Sequence, residues 1–573
     1  MYVGRSSEVK VPGSTDNSKI VIASTGYVYY QTAYEWDSEK RQPIYKRCSI
    51  GRIKENSNNS VMYPNKNFFK FFGEQEDVKL SKLKAVFSSS TRKEAGKVDN
   101  HIAYGGYVLI SAIARKTGCY EILKKVFPKH YKLILALCTY GVSEGDLISQ
   151  QFSSWCFGHY CGLDRPVSDS EVSALYTELS KNSGDIQIFF SLFAEMYEKL
   201  FPSPKTRIVA FDSTNQNTSS GHIDFAKFGQ AKINVDLPII NTAAFVDETT
   251  GIPLWYEHFD GSVLDKTQTP YSLKKILNLG YKKLFVVFDR GYYSEDAIKQ
   301  MQQLELEFGI LCPESTNWVE ELISTKGNEI KDQQKYYLAE ENVYGNVYQV
   351  KLKETQYYAY MFYDSKRAED ERQALHSLMS FYWENISKHV RYSEQLEKYA
   401  AKRGVIIAPS ETTKDGKNFI MMENTEMIQQ LLNHKGFFVM LSPSKIEAYE
   451  AISIIRKRDN VEKNFSNLMR GLNLRTTYRH NANTYVGLMF VAFIAQIIMA
   501  GMLHFEKTFL NSKTSMTTNR IIAELNKYCI DQNEDDTWYP SYAMNKDQKE
   551  ILSNVGITED DVHKFITKIA SGH

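Results

Sequence analysis

The chain has 573 residues, a hydrophobic fraction of 43% and a formal net charge of +1. That size predicts three or four domains, and that balance excludes a polycation, so any nucleic-acid surface has to be local. Seven scattered cysteines argue against a disulfide framework and for a reducing compartment, and the polar start Met1–Lys10 carries no signal-peptide core.

In chain order, Ile20–Ile22, Tyr27–Tyr30 and Tyr45–Gly51 predict a small antiparallel module with polar turns such as 37–40. The polar, mildly basic stretch 55–100 predicts a linker, so 1–100 reads as a β module plus basic linker. Apolar residues at helical spacing in 107–115, 120–126, 132–140 and 171–179 predict a helical domain over 101–202, a candidate DNA binder. Inside it, Cys156, His159 and Cys161 stand close together. A structural zinc needs four ligands and no second pair is near, so loop packing is the reading.

After the Pro202-Ser203-Pro204 break come five strands: Arg207–Phe211, Ile233–Phe245, Gly251–Phe259, Leu284–Phe288 and Phe308–Leu311. Helices at Pro270–Asn278 and Ser294–Glu305 separate the last three. Three antiparallel strands, then helix–strand–helix–strand, is a ribonuclease H-like order, which sets strands one and four side by side. The fold class is therefore α/β, a ribonuclease H-like mixed sheet plus the N-terminal β module and helical domain. The core divides into 203–313 and 435–505 around a β-rich insertion at 314–434, with a charged helix over 365–403. A long helix is expected over 444–472 and a polar helical tail over 506–573. The uncharged stretch Thr484–Leu503 has the length of a membrane span, but it contains Gln496 and follows a basic amphipathic segment. A buried helix and no membrane partner is the expectation.

Two buried strands each deliver a carboxylate, Asp212 and Asp289, toward one sheet edge, where chemistry collects in open α/β sheets. Glu462 shares a helical face with Ile455, Arg458, Phe465 and Met469. Arg458 could simply neutralise it, or Glu462 could complete a metal site. Oxygen ligands without an adjacent His favour Mg²⁺, with Mn²⁺ as substitute, over zinc. Two such ions about 3.5–4 Å apart would activate water and stabilise the leaving oxygen of a phosphodiester. Residues 456–479 carry seven bases against two acids. Arg456, Lys463 and Arg470 recur every seven residues beside Glu462, a stripe suited to phosphates or to plain solvation.

Asp-Ser-Thr at 212, Asp-Arg-Gly-Tyr-Tyr-Ser at 289, Arg-x-x-x-Glu-x-x-Phe at 458 and Phe-Phe-Val-Met-Leu-Ser at 437 resemble the DDE transposases of bacterial insertion sequences. So does the helix beginning at Tyr104-Gly105-Gly106-Tyr107. The likeness spans roughly 20–505, and the 173 positions from Asp289 to Glu462 accommodate the insertion. The resemblance implies that Asp212, Asp289 and Glu462 are the catalytic, metal-holding triad for two Mg²⁺ ions. It implies DNA contacts at Arg290, Arg456, Arg458, Lys463, Arg470 and Arg475. It implies binding of terminal repeats and target duplex DNA by a homodimer, then strand cleavage and transfer, in a bacterial cytoplasm at the nucleoid. Ile455 and Met469 stand where the family usually has Tyr and Lys. A catalytically silent DNA-binding derivative and a nuclease without strand transfer are the alternatives. Base recognition is expected from residues 1–200, because phosphate contacts carry little sequence information.

Overall fold

The computed structural model describes residues 8–13, 19–37, 42–54, 57–73, 101–203, 205–281, 283–411, 413–477, 479, 481–506, 517–532 and 537–570. The chain forms two compact units, 1–101 and 102–573.

In the first unit, Val9–Lys10, Val61–Pro64, Gln42–Ile53, Tyr27–Asp37 and Ile20–Ile22 form one antiparallel sheet in that order. The linker expectation fails at its start. Val61–Pro64 is a strand, and helix Lys66–Phe72, capped by the Asn65 side chain, sets Phe68 and Phe69 against Val9, Val28, Ile50 and Met62. Two Phe-Phe pairs amid polar residues supply the apolar face this sheet needs. The rest of the expected linker, 74–100, and the turn residues 38–40 lie outside the described residues.

The second unit is built on a mixed sheet. Its strands β1 (Arg207–Thr218), β2 (Ile239–Asp247) and β3 (Pro253–Asp260) are antiparallel neighbours. β4 (Leu284–Phe288) lies parallel to β1, and β5 (Glu307–Cys312) parallel to β4. The order β5-β4-β1-β2-β3 is the ribonuclease H-like arrangement. All five β4 side chains are buried, as its uninterrupted apolar run requires of a strand covered on both faces.

The insertion is not a separate β unit. β6 (Val343–Leu352), β7 (Thr355–Tyr363) and β8 (Phe437–Ser442) continue the same sheet, β8 pairing antiparallel with β5. Val343, Tyr360, Phe362 and Met440 of these strands share a small core with Ala451 and Ile452. Among the described residues of the insertion, the hairpin Val405–Pro409 with Phe419–Glu423 forms its own two-stranded sheet with its own small core. The expected helix over 365–403 is two, Ser365–Ser387 and Glu394–Ala401, the second capped by Ser393. The expected helix over 444–472 is also divided, into Ala448–Lys457, Asp459–Ser466 and a π-helical turn Asn467–Gly471.

Helices between Gly105 and Leu200 share one core with the apolar helix Ala482–Glu506, which is buried in the unit along nearly its whole length. The approach is close. A Cβ on Gly487 would stand 2.1 Å from the Tyr176 carbonyl oxygen, so glycine is needed there. The tail adds helices Thr518–Asn526, Lys546–Asn554 and Glu559–Ala570, plus an unforeseen strand pair, Cys529–Gln532 with Trp538–Pro540.

Candidate active site

Register decides where the two aspartates meet. Phe211 of β1 is paired with Phe288 of β4, the last residue of that strand. The next residue on each is an aspartate. Asp289 stands at the N-cap position of the 3₁₀ turn Arg290–Tyr292 without a side-chain capping bond. Asp212 does not end its strand as expected, because β1 runs on to Thr218 against β2. It is instead the first β1 residue beyond the reach of β4, so its position lies at the open edge.

Burial raises the Asp212 carboxyl above the ordinary aspartate range, and the nearby charge of Asp289 pushes the same way. The Ser213 amide, which donates to Asp212 Oδ1 at 2.8 Å, and the cations of Lys232 and Arg458 oppose the rise. The Tyr292 hydroxyl donates to Asp212 Oδ1 at 3.2 Å and stands 2.7 Å from the Ser213 hydroxyl. Burial holds that phenol well above its ordinary range, so it remains a donor. Lys232 donates to the Ser213 carbonyl at 2.8 Å. Sequence reasoning missed the roles of Tyr292 and Lys232. The first carried a signal, three residues after Asp289; the second, from the long β1–β2 loop, carried none.

Glu462 reaches this site through Arg458. The Arg458 guanidinium donates to Glu462 Oε1 at 2.8 Å and lies 3.8 Å from Asp289 Oδ1. Glu462 is 55% exposed, unlike the expected carboxylate among apolar neighbours. Ile455 lines the same cavity as Glu462, while Phe465 and Met469 turn into the core. Asp289, Arg290, Arg458 and Glu462 line one cavity of about 440 Å³ together with Asp364, Arg367 and Arg456.

The donor set suits a divalent metal in chemistry. Asp212 and Asp289 are adjoining oxygen donors whose mutual repulsion a cation would relieve. Among the described residues no group of three or more His, Cys, Asp or Glu is already arranged to hold an ion. Arg458 stands between Asp289 and Glu462 as the positive charge there. The pair Cys156 and Cys161 has its sulfurs 3.5 Å apart and, among the described residues, belongs to no group of three metal-type ligands.

Of the expected stripe, the side chains of Arg456 and Lys463 are among the described residues. Arg456 is held by Asp364 at 3.0 Å, with Glu341 at 3.9 Å. Lys463, Arg290 and Arg475 are exposed, and the Arg470 side chain lies outside the described residues. The breaks at Arg458 and at 467–471 take the seven-residue spacing off a straight helix.

Residues 203–498, more than half of the chain, match the family described as Transposase DDE domain. No curated protein matches. Among solved structures, a cryo-EM synaptic complex of piggyBac transposase with hairpin DNA aligns over 81% of this chain and 82% of that one. The identity is 10% and the TM-score 0.33.

Proposed function

The chain belongs to the DDE transposase family, and from that premise we propose that it binds the terminal repeats of an insertion sequence and cuts and rejoins DNA strands there. The observation that carries the reading is the register of β1 and β4, which sets Asp212 beside Asp289, with Arg458 linking Asp289 to Glu462. Asp212, Asp289 and Glu462 would hold Mg²⁺, two ions per site, which supply an activated water or 3′ hydroxyl and a stabilised leaving oxygen. Tyr292 fixes the Asp212 carboxylate, and the Ser213 amide orients its second lone pair. Arg458, drawn off Glu462 by a DNA phosphate, would free that carboxylate for metal. Arg290, Lys463 and Arg475 are exposed cations suited to the DNA backbone. The partners are duplex element ends and target DNA, engaged as a homodimer in the bacterial cytoplasm.

The test uses a duplex carrying the inverted repeat from DNA flanking this chain's gene. With Mg²⁺ the protein is expected to nick at the repeat boundary and then join the free 3′ end to a second duplex. Binding without nicking in Mg²⁺ or Mn²⁺ would favour the silent DNA-binding alternative. Nicking without joining would favour a nuclease.

A further inference from the structure

The β1–β2 connection, residues 219–238, is long, yet its backbone is held along its length. Asn215 donates to the Gln230 carbonyl at 3.0 Å and accepts from the Lys232 amide at 3.1 Å. Two residues on, Asn217 donates to the Asn234 carbonyl at 2.7 Å and accepts from the Asn234 amide at 3.2 Å. Lys227 exchanges two backbone hydrogen bonds with Ile239, at 3.1 and 2.8 Å. Gly229 lies so close to the Gly261 carbonyl oxygen that a Cβ would stand 2.0 Å from it.

A loop held this firmly should turn its apolar side chains inward. Ile223 does so, and Phe225 and Ala226 pack on the same core, but Phe228, Ile233 and Val235 are 65%, 56% and 73% exposed. Lys227 adjoins them, Lys232 turns its ammonium to the Ser213 carbonyl, and the amides of Gln230 and Asn234 are exposed between them. Asp224 and Asp236 stand toward the two ends of the loop. Large apolar groups fixed in water, interleaved with cations and amides, are suited to a groove of duplex DNA. Cations meet phosphates, amides meet base edges, and apolar groups press on sugars and base steps.

Position sets which DNA. The loop is pinned to Asn215 and Asn217, three and five residues beyond Asp212 on the same strand. At about 3.3 Å per residue those pins lie roughly 10 and 17 Å from the aspartate. At about 3.4 Å per base step this corresponds to on the order of three to five base pairs from the phosphate being cut.

We propose that the ridge Phe228–Ile233–Val235 is a specificity element that reads the duplex three to five base pairs from the cleavage position. It rests on the functional reading above in taking DNA as the substrate, and it adds a reading surface inside the catalytic unit.

The test measures binding by fluorescence anisotropy in EDTA, so that no cleavage occurs. The probes are the repeat-bearing duplex, the same duplex with base pairs three to five from the boundary replaced, and a random duplex. Phe228→Ser, Ile233→Ser and Val235→Ser are combined, with Val235→Ser alone as the mildest case, and melting curves confirm that both fold. The combined variant is expected to lose tenfold or more of its affinity for the repeat and its discrimination against the replaced duplex. Its binding to random DNA and its salt slope should stay unchanged, because apolar contacts release no counterions. Full retention of discrimination would overturn the proposal. So would a change of oligomeric state in the variant without a change in DNA selection, which would make the ridge a protein contact. Cleavage by the parent protein in Mg²⁺ is scored separately. Its absence, with discrimination still lost in the variant, would sink the transposase reading and leave the ridge as a DNA reader.

Discussion

Arg458 and Glu462 form a 2.8 Å ion pair one helical turn apart, and the same guanidinium lies 3.8 Å from Asp289. One side chain thus compensates two of the three carboxylates that the reaction would need for metal. Several consequences can be measured.

Asp212→Asn, Asp289→Asn and Glu462→Gln should each lower cleavage of the repeat-bearing duplex by at least about 100-fold, since preorganised charge at the reacting centre is worth that much. Affinity for the same duplex in EDTA should change little. A gel assay and an anisotropy titration on the same preparations check both. A variant that keeps substantial cleavage does not belong to the triad.

Arg458→Gln removes the competing cation. The pair is partly exposed, so its worth is about 0.2–1 kcal/mol. Mn²⁺ binding to the DNA-free protein should tighten by about 1.4- to fivefold, as that energy converts to an equilibrium constant. Titration followed by electron paramagnetic resonance reads this directly. Weaker Mn²⁺ binding would show Arg458 to be a support for the ligands rather than a rival of the ion.

Asp212 bears on stability with a definite sign. Its carboxyl is raised in the folded chain, so the folded state binds more protons than the unfolded state between the two values. Stability contributed by this group is therefore lost as pH rises from the ordinary aspartate range through the raised value, and the cost is complete above it. Without metal, Asp212→Asn should raise the apparent melting temperature at pH 7.5, and the gain should shrink on acidification toward pH 4. Thermal scans of both proteins in EDTA test the trend. A gain that grows on acidification would contradict it.

Lys463→Gln and Arg456→Gln should behave differently. Lys463 is exposed, and its loss should flatten the log–log salt slope of DNA binding by about 0.9. Arg456 is tied to Asp364, so its loss should act mainly on stability, leaving the slope near the parent value. Equal slope changes would make both of them phosphate contacts.

Residues 1–101 form a unit of their own, so a chain beginning at Ile102 is expected to fold. It should keep salt-sensitive binding and lose part of its preference for the repeat. Undiminished preference would place recognition wholly within 102–573. A cut at Ser203 is not equivalent, because it strips helices that share a core with Ala482–Glu506.

The catalytic strands were legible because their signals are local. Leu284–Phe288 is an unbroken apolar run ended by Asp289, and the structure gives the strand those limits. Asp212 was recognisable, but the length of β1 was not, since Asn215 and Asn217 look like turn formers and instead pair with β2 while binding the loop. For the same reason strand two begins at Ile239 rather than Ile233. The helix break at Arg458 carries no glycine or proline, so periodicity ran through it. The insertion strands were found, but their partners, β8 and β5, depend on pairing across many residues, which no local pattern encodes.

The common core of Gly105–Leu200 with Ala482–Glu506 also sets an order of events at the ribosome. The early helices emerge with their apolar faces bare, and their cover is translated roughly 280 residues later. At about 5–20 residues per second that wait is on the order of 15–60 s. During it the nascent chain is an aggregation-prone species, and its yield should depend on chaperone supply and on growth temperature.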